Sequence, residues 1–65
     1  MEQNTRILIA DENVGERQII AEGLRRGGFR NIIEATNGED AMAKITQLRP
    51  DVVLLDVWLS KLDGI

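Results

Sequence analysis

Residues 7–12 read Ile7-Leu8-Ile9-Ala10-Asp11-Glu12, an apolar run that ends at two acids. The run does not alternate with polar residues, so it predicts a strand covered on both faces, as is typical of parallel sheets. A stretch of similar design, Asp51-Val52-Val53-Leu54-Leu55-Asp56, follows later in the chain. Two such strands, each ending at an acid, predict an α/β fold.

The first of two predicted helices follows residue 12. Asn13 can cap it, and Glu16 stands three residues later, as in a capping box. We expect Ile20 and Leu24 to mark its buried stripe, because they lie one helical turn apart. Gly27-Gly28 then supply a left-handed stop.

The second predicted helix follows the turn at residues 36–38. Asn37 is its expected cap and Asp40 occupies the third helical position. Pro50 ends the helix, because the residue before a proline is pushed away from helical angles. One face of this helix should contain the apolar residues Ala41, Met42, Ile45 and Leu48.

A shorter strand, Asn31–Ala35, lies between the helices and carries a charge, which suits the edge of a sheet. The order is therefore β-α-β-α-β. Right-handed crossovers and short connections make this a doubly wound parallel sheet, in which the usual winding gives the strand order 2-1-3.

Composition excludes several classes of function. The 65 residues include no cysteine and no histidine, which removes thiolate zinc sites and Ser-His or Cys-His catalysis. The formal charge of −3 argues against a nucleic-acid binder. Charge-free stretches such as Val52–Leu55 are far shorter than the ~20 apolar residues of a membrane span. We expect a cytoplasmic, non-enzymatic α/β chain that binds neither nucleic acid nor membrane.

The acids at the strand ends form the candidate site. In an open α/β sheet, ligands bind at the carboxyl ends of strands, and Asp11, Glu12 and Asp56 leave the two strands that flank this crevice. A hydrated divalent cation relieves the repulsion of converging carboxylates, and Mg²⁺ suits such hard oxygen ligands best. The alternative is that these acids are only turn and cap residues. The loop offers one glycine, Gly15, too few for a dinucleotide site.

These residues resemble the receiver domain of two-component response regulators. Four segments support the resemblance: residues 7–12, Thr36-Asn37-Gly38-Glu39-Asp40-Ala41, residues 49–56 and Leu62-Asp63-Gly64. The resemblance implies a flavodoxin-like fold and makes Asp56 the phosphoacceptor for a phosphoryl group from a sensor histidine kinase. It also implies that Asp11 and Glu12 hold Mg²⁺ together with Asp56, and that the backbone carbonyl of Trp58 is a further ligand.

The chain also departs from that family. Glu12 stands where the family most often has Asp, and Ser60 replaces a usual proline. Receivers continue for about as many residues again, and the later part carries a hydroxyl residue and a lysine that contact the phosphoryl group. Neither can be assigned here, and Lys61 is not that lysine. We therefore expect residues 1–65 to be one unit, the N-terminal half of a receiver, impaired in switching.

A half-receiver should associate with itself. Strand 52–55 would be an edge with unpaired backbone groups, although so apolar a stretch is ordinarily plain core. The segment 58–65 adds Trp58, Leu59, Leu62 and Ile65, which local packing against the second helix could also cover.

Two further hypotheses remain open. The chain could be a pseudo-receiver, an interaction or dimerisation module that is not phosphorylated. It could also be half of a metal-dependent phosphohydrolase site, since a carboxylate cluster can serve one.

Overall fold

The computed structural model describes residues 4–56. It contains five elements in the predicted order: β1 (Arg6–Ala10), α1 (Val14–Arg26), β2 (Asn31–Ala35), α2 (Gly38–Leu48) and β3 (Val52–Leu55). The strands form one parallel sheet in the order β2-β1-β3, which confirms the doubly wound arrangement. Predictions that concern Trp58, Ser60 and the rest of 57–65 lie outside the described residues.

The central strand β1 separates two small apolar clusters. Leu8 and Ala10 pack with Ala41 of α2, whereas Ile7 and Ile9 pack with Ala21 of α1. Because successive side chains of a strand point to opposite faces, the two helices cover opposite faces of the sheet. This three-layer packing explains why the apolar run of β1 does not alternate.

Both predicted N-cap residues are confirmed, but the capping box with Glu16 is not, because the Asn13 amide donates to Asp11 Oδ1 instead. The Asn13 side chain accepts a hydrogen bond of 2.9 Å from the Glu16 amide, and the Asn37 side chain accepts one of 2.8 Å from the Asp40 amide. The Thr36 amide donates to the Asp40 carboxylate, and Lys44 lies beside it. These contacts hold the pKa of Asp40 below its usual value, the Thr36 hydrogen bond being the larger cause.

The helix ends also follow the predicted chemistry. Gly28 adopts a positive φ of 98° after the C-cap Gly27, so the left-handed stop is confirmed. Arg49, immediately before Pro50, ends α2 in the left-handed region with a φ of 48°. Its amide donates to the Ile45 carbonyl, which helps to hold this unfavourable backbone conformation.

The predicted buried faces of both helices need correction. In α1, Arg17 and Ala21 are buried and Leu24 is half-buried, whereas Ile20 is exposed. Positions 17, 21 and 24 share one helical face, and an arginine occupies one of them, so an apolar pattern alone misses it. In α2, Ala41 and Ile45 pack into the apolar cluster, whereas Met42 and Leu48 of the predicted apolar face are exposed.

Strand β3 is an edge of the sheet in the described part of the chain. Its side chains are not core: Val53, Leu54 and Leu55 are all exposed, and Val52 alone packs into an apolar cluster. The expectation of an apolar edge is therefore confirmed, and the reading of 52–55 as plain core is wrong. No helix among residues 4–56 has the length and apolar character needed to cross a bilayer.

Candidate functional site

Asp11 and Asp56 are brought together by the pairing of their strands. Ala10 of β1 lies opposite Leu55 of β3, and each acid is the next residue along its strand. The Asp56 amide donates a 3.0 Å hydrogen bond to the Ala10 carbonyl, so the ladder continues to the first residue beyond β3. Because both strands run in the same direction, both acids emerge at the same edge.

Asp11 is buried, and hydrogen bonds fix both its backbone and its side chain. Its amide donates to the Ala35 carbonyl of β2 at 3.1 Å, and its carbonyl accepts from Arg17 Nη1 at 2.7 Å. Its carboxylate Oδ1 accepts from the Asn13 amide at 2.9 Å. One carboxylate oxygen is thus committed to the loop that enters α1.

Glu16 is the third carboxylate of the group. One carboxylate oxygen each from Asp11, Glu16 and Asp56 lies within 4.8 Å of the others. Glu16 reaches this position because it lies in the first turn of α1, where its amide is held by the Asn13 cap. Sequence reasoning assigned Glu16 to capping alone. Its position one turn into a helix that starts at the strand end was the signal that could have placed it here.

Glu12 is not a member of this three-carboxylate group, and it is exposed to solvent. The structure therefore joins two of the three predicted acids, Asp11 and Asp56, and adds Glu16. That Glu12 and the Trp58 carbonyl are ligands stays a prediction, and Trp58 lies outside the described residues.

Charge repulsion within the group acts on Glu16. Hydrogen bonding with the Asp11 side chain and repulsion from its charge raise the pKa of Glu16, with smaller contributions from desolvation and from Asp56. Three anionic groups this close favour either a proton or a cation between them.

The three carboxylates line an open cavity of about 410 Å³. Apolar residues, including Ile20 and Leu54, line the same cavity. Two ligand oxygens on one octahedral Mg²⁺ lie roughly 3 Å apart when adjacent and about 4 Å apart when opposite. Oxygens within 4.8 Å need only small side-chain adjustments to reach that geometry, so this donor set fits the ion.

Comparison with known proteins identifies the family. Residues 7–65 match the family described as the response regulator receiver domain. This chain belongs to the receiver-domain family of response regulators.

The curated relatives of this chain differ in length. The chain is 39% identical over 62 residues to the alkaline phosphatase synthesis transcriptional regulatory protein PhoP of Bacillus subtilis, covering 95% of this chain and 25% of the relative. It is 39% identical over 62 residues to sporulation initiation phosphotransferase F of the same organism, covering 95% and 49%. The chemotaxis protein CheY of Thermotoga maritima is 33% identical over 60 residues, covering 92% and 50%. The chain thus spans half or less of each relative's length.

The repulsion at Glu16 leads to a prediction for the thermal stability of the metal-free chain. When folding raises the pKa of a carboxyl group, protonation of that group stabilises the folded state. This contribution is complete at pH values below the pKa that the group has in the unfolded chain. That contribution is lost as the pH rises through the raised value. Glu16→Gln removes the repulsion, so we expect its melting temperature in EDTA at neutral pH to exceed that of the unaltered chain. The difference should shrink as the pH falls below the usual range of carboxyl pKa values.

The measurement is thermal unfolding by circular dichroism across a pH series. Glu22→Gln is the matched control, because Glu22 lies on the same helix in an exposed pair with Arg26 at 2.7 Å. Exposed pairs of this kind contribute little to stability, so the control should melt near the unaltered chain. A Glu16→Gln variant that melts lower at neutral pH would contradict the assigned repulsion.

Proposed function

We propose that the chain is a phosphoacceptor module of a two-component system, in which Asp56 takes a phosphoryl group from the histidine of a sensor kinase. The observation that carries the proposal is the juxtaposition of Asp11 and Asp56 at adjacent strand ends in an open cavity, within a receiver-family chain. Family membership supports a signalling role in general. The assignment of Asp56 as the phosphoacceptor goes beyond that membership and is the part that we propose.

In the proposed reaction, one Asp56 carboxylate oxygen attacks phosphorus as the bond from phosphorus to the histidine nitrogen breaks. The products are an acyl phosphate on Asp56 and an imidazole. Asp56 is half-buried and lines the open cavity, which leaves an approach for the donor. Positioning and charge neutralisation supply most of the catalysis in transfers of this kind.

We propose Asp11 and Asp56 as Mg²⁺ ligands, with Glu16, Glu12 and the Trp58 carbonyl as further candidates. A bound Mg²⁺ would neutralise negative charge on the carboxylates and on the phosphoryl oxygens. Asp11 suits the role, because hydrogen bonds at its amide, carbonyl and Oδ1 fix its position before any ion arrives.

The remaining expectations belong to the same proposal: a sensor histidine kinase as partner, a cytoplasmic location and self-association through β3. The 65 residues contain no assigned counterpart of the family's hydroxyl residue and lysine. We therefore expect this polypeptide on its own to accept phosphate slowly and to switch incompletely.

Incubation with Mg²⁺ and acetyl phosphate, followed by intact mass spectrometry, tests the proposal. We expect the mass to rise by one phosphoryl group, and Asp56→Asn to reduce that gain to background. Asp51→Asn is the matched control, because Asp51 lies at the opposite end of the same strand. Its Oδ2 accepts a hydrogen bond of 2.9 Å from the Arg6 amide. Labelling that survives Asp56→Asn would contradict the assignment.

The pseudo-receiver remains the second candidate, because the exposed Leu54 and Leu55 on β3 suit an interaction module. It predicts no mass gain in any variant, together with association that is independent of Mg²⁺. A phosphohydrolase would instead turn over a phosphoester without retaining the phosphoryl group.

A further inference from the structure

Arg17 is a buried charged residue that the proposed chemistry does not use. It is only 8% exposed and lies on the inner face of α1. Its Nε donates to Glu34 Oε1 on β2 at 2.9 Å, and its Nη1 donates to the Asp11 carbonyl at 2.7 Å. One guanidinium therefore links the helix, the second strand and the backbone of the carboxylate site.

The contact with Asp11 occurs where the sheet ladder stops. Strand β1 ends at Ala10, and Asp11 begins the loop that leads into α1. The Asp11 amide is held by Ala35, and its carbonyl is held by Arg17. The peptide groups on both sides of the Asp11 α-carbon are thus fixed, and so is the direction in which the carboxylate leaves the backbone.

A planar guanidinium suits this geometry because its donors point in fixed, diverging directions. A lysine ammonium is a compact group on a flexible stem and lacks that fork. Burying a guanidinium is costly unless it is paired, and the half-buried Glu34 supplies the counter-charge. The ion pair therefore holds Arg17 in the orientation that reaches the Asp11 carbonyl.

We propose that Arg17 is a positioning residue of the carboxylate site, acting through the Asp11 backbone to aim the Asp11 side chain at Asp56. The part of this proposal that concerns cation affinity rests on the proposed function. The part that concerns the orientation of Asp11 does not, because the contact is present without an ion.

A purely structural role is the competing explanation, in which Arg17 only ties α1 to β2 through Glu34. The two roles separate by substitution. Glu34→Gln removes the counter-charge and weakens the tie between α1 and β2, but it keeps a side-chain oxygen that can accept the hydrogen bond from Arg17 Nε, so Arg17 stays beside the Asp11 carbonyl. Arg17→Met removes both contacts of Arg17. Glu34 then still has an ion-pair partner, because Arg25 Nη2 lies 3.8 Å from Glu34 Oε2. Arg17→Lys keeps the positive charge but lacks the diverging donors of the guanidinium. It replaces Arg17→Met in the comparison if Arg17→Met does not fold.

The experiment compares these variants with the unaltered 65-residue chain by two readouts. The first is the NMR shift of the Asn13 amide proton without metal, since that proton is donated to Asp11 Oδ1. The second is a Mg²⁺ titration followed by the fluorescence of Trp58, which is two residues after Asp56 in sequence. Circular dichroism confirms that each variant is folded.

We expect both Arg17 variants to shift the Asn13 amide proton, with Arg17→Met weakening Mg²⁺ binding about tenfold or more, the usual effect of removing a group that orients a metal ligand. Glu34→Gln should change the affinity less than about threefold, since it keeps the contact with Asp11. An unchanged Asn13 shift in folded Arg17 variants would overturn the proposal, as would equal losses of affinity in Arg17→Met and Glu34→Gln. If the unaltered chain does not bind Mg²⁺ but the Asn13 shift moves as expected, the proposed function fails and the positioning role of Arg17 stands.

Discussion

Leu8→Ala is expected to remove a large part of the chain's stability. Leu8 is fully buried in the central strand and is one of the two largest side chains that are completely enclosed. Deleting a buried leucine to alanine costs about 2–5 kcal/mol, and the cost is highest where the surroundings cannot collapse. The other buried members of its cluster are alanines, which have no side-chain freedom to refill the space: Ala10, Ala35 and Ala41.

This loss is large beside the total stability. Small proteins have about 0.05–0.15 kcal/mol of stability per residue, which for 65 residues gives about 3–10 kcal/mol. Urea titration by circular dichroism measures the change. Ile19→Ala is the control, because Ile19 is 73% exposed on α1 and its loss should change the free energy of unfolding by less than about 0.5 kcal/mol. Equal midpoints for the two variants would contradict the assigned core.

The parts of the fold that were predictable from sequence have local causes. The caps Asn13 and Asn37 act on amides three residues away, so their hydrogen bonds depend on neighbouring sequence alone. Gly28 ends α1 because glycine readily adopts a positive φ, and Pro50 ends α2 because it restricts the residue before it. The continuous apolar run of β1 reflects cover on both faces, and with these boundaries it is enough to specify the parallel order.

The unpredicted parts depend on tertiary contacts. Arg17 occupies a buried helical position only because Glu34 lies opposite it on β2, seventeen residues away along the chain. An apolar pattern assigned that face to Ile20, which the structure leaves exposed beside the cavity. Met42 and Leu48 are exposed because Ala41 and Ile45 make the apolar contact between α2 and the sheet.

The candidate site shows the same division. Asp11 and Asp56 could be placed together from strand order, because each follows a strand of the parallel pair. Glu16 was not placed, because the sequence pattern assigned it to capping and its approach to the two aspartates depends on how α1 leaves the strand end. Its position in the first turn of a helix that starts at the strand end was the available signal.

Leu54→Lys is the second substitution for which we expect a large effect, here on self-association. In the described residues, β3 is paired with β1 on one side and forms the sheet edge on the other. Leu54 on this edge is 40% exposed, and Val53 and Leu55 are similarly exposed. An edge that is apolar and unprotected by charge can pair with another chain.

A two-fold dimer is the simplest closed arrangement of such an edge. Antiparallel pairing of β3 with its copy would join two three-stranded sheets into one and would leave no further edge of the same kind. Each dimer would bury two copies of Leu54, so one substitution removes two apolar contacts and places two positive charges near each other. Burial contributes about 25 cal/mol per Å² of apolar surface, and 1.4 kcal/mol corresponds to about a tenfold change in dissociation constant. We expect Leu54→Lys to weaken association about tenfold or more.

Light scattering across a dilution series measures the association, and circular dichroism checks that the variants are folded. Ile19→Lys is the matched control, because it introduces the same charge at an exposed apolar position on α1 rather than on the sheet edge. The control should associate as the unaltered chain does, since its substitution leaves the edge of β3 intact. If Ile19→Lys weakens association as much as Leu54→Lys, the interface involves α1. A folded species with the mass of one chain at every concentration would contradict the predicted dimer. In that case the edge of β3 would have no measurable affinity for its copy.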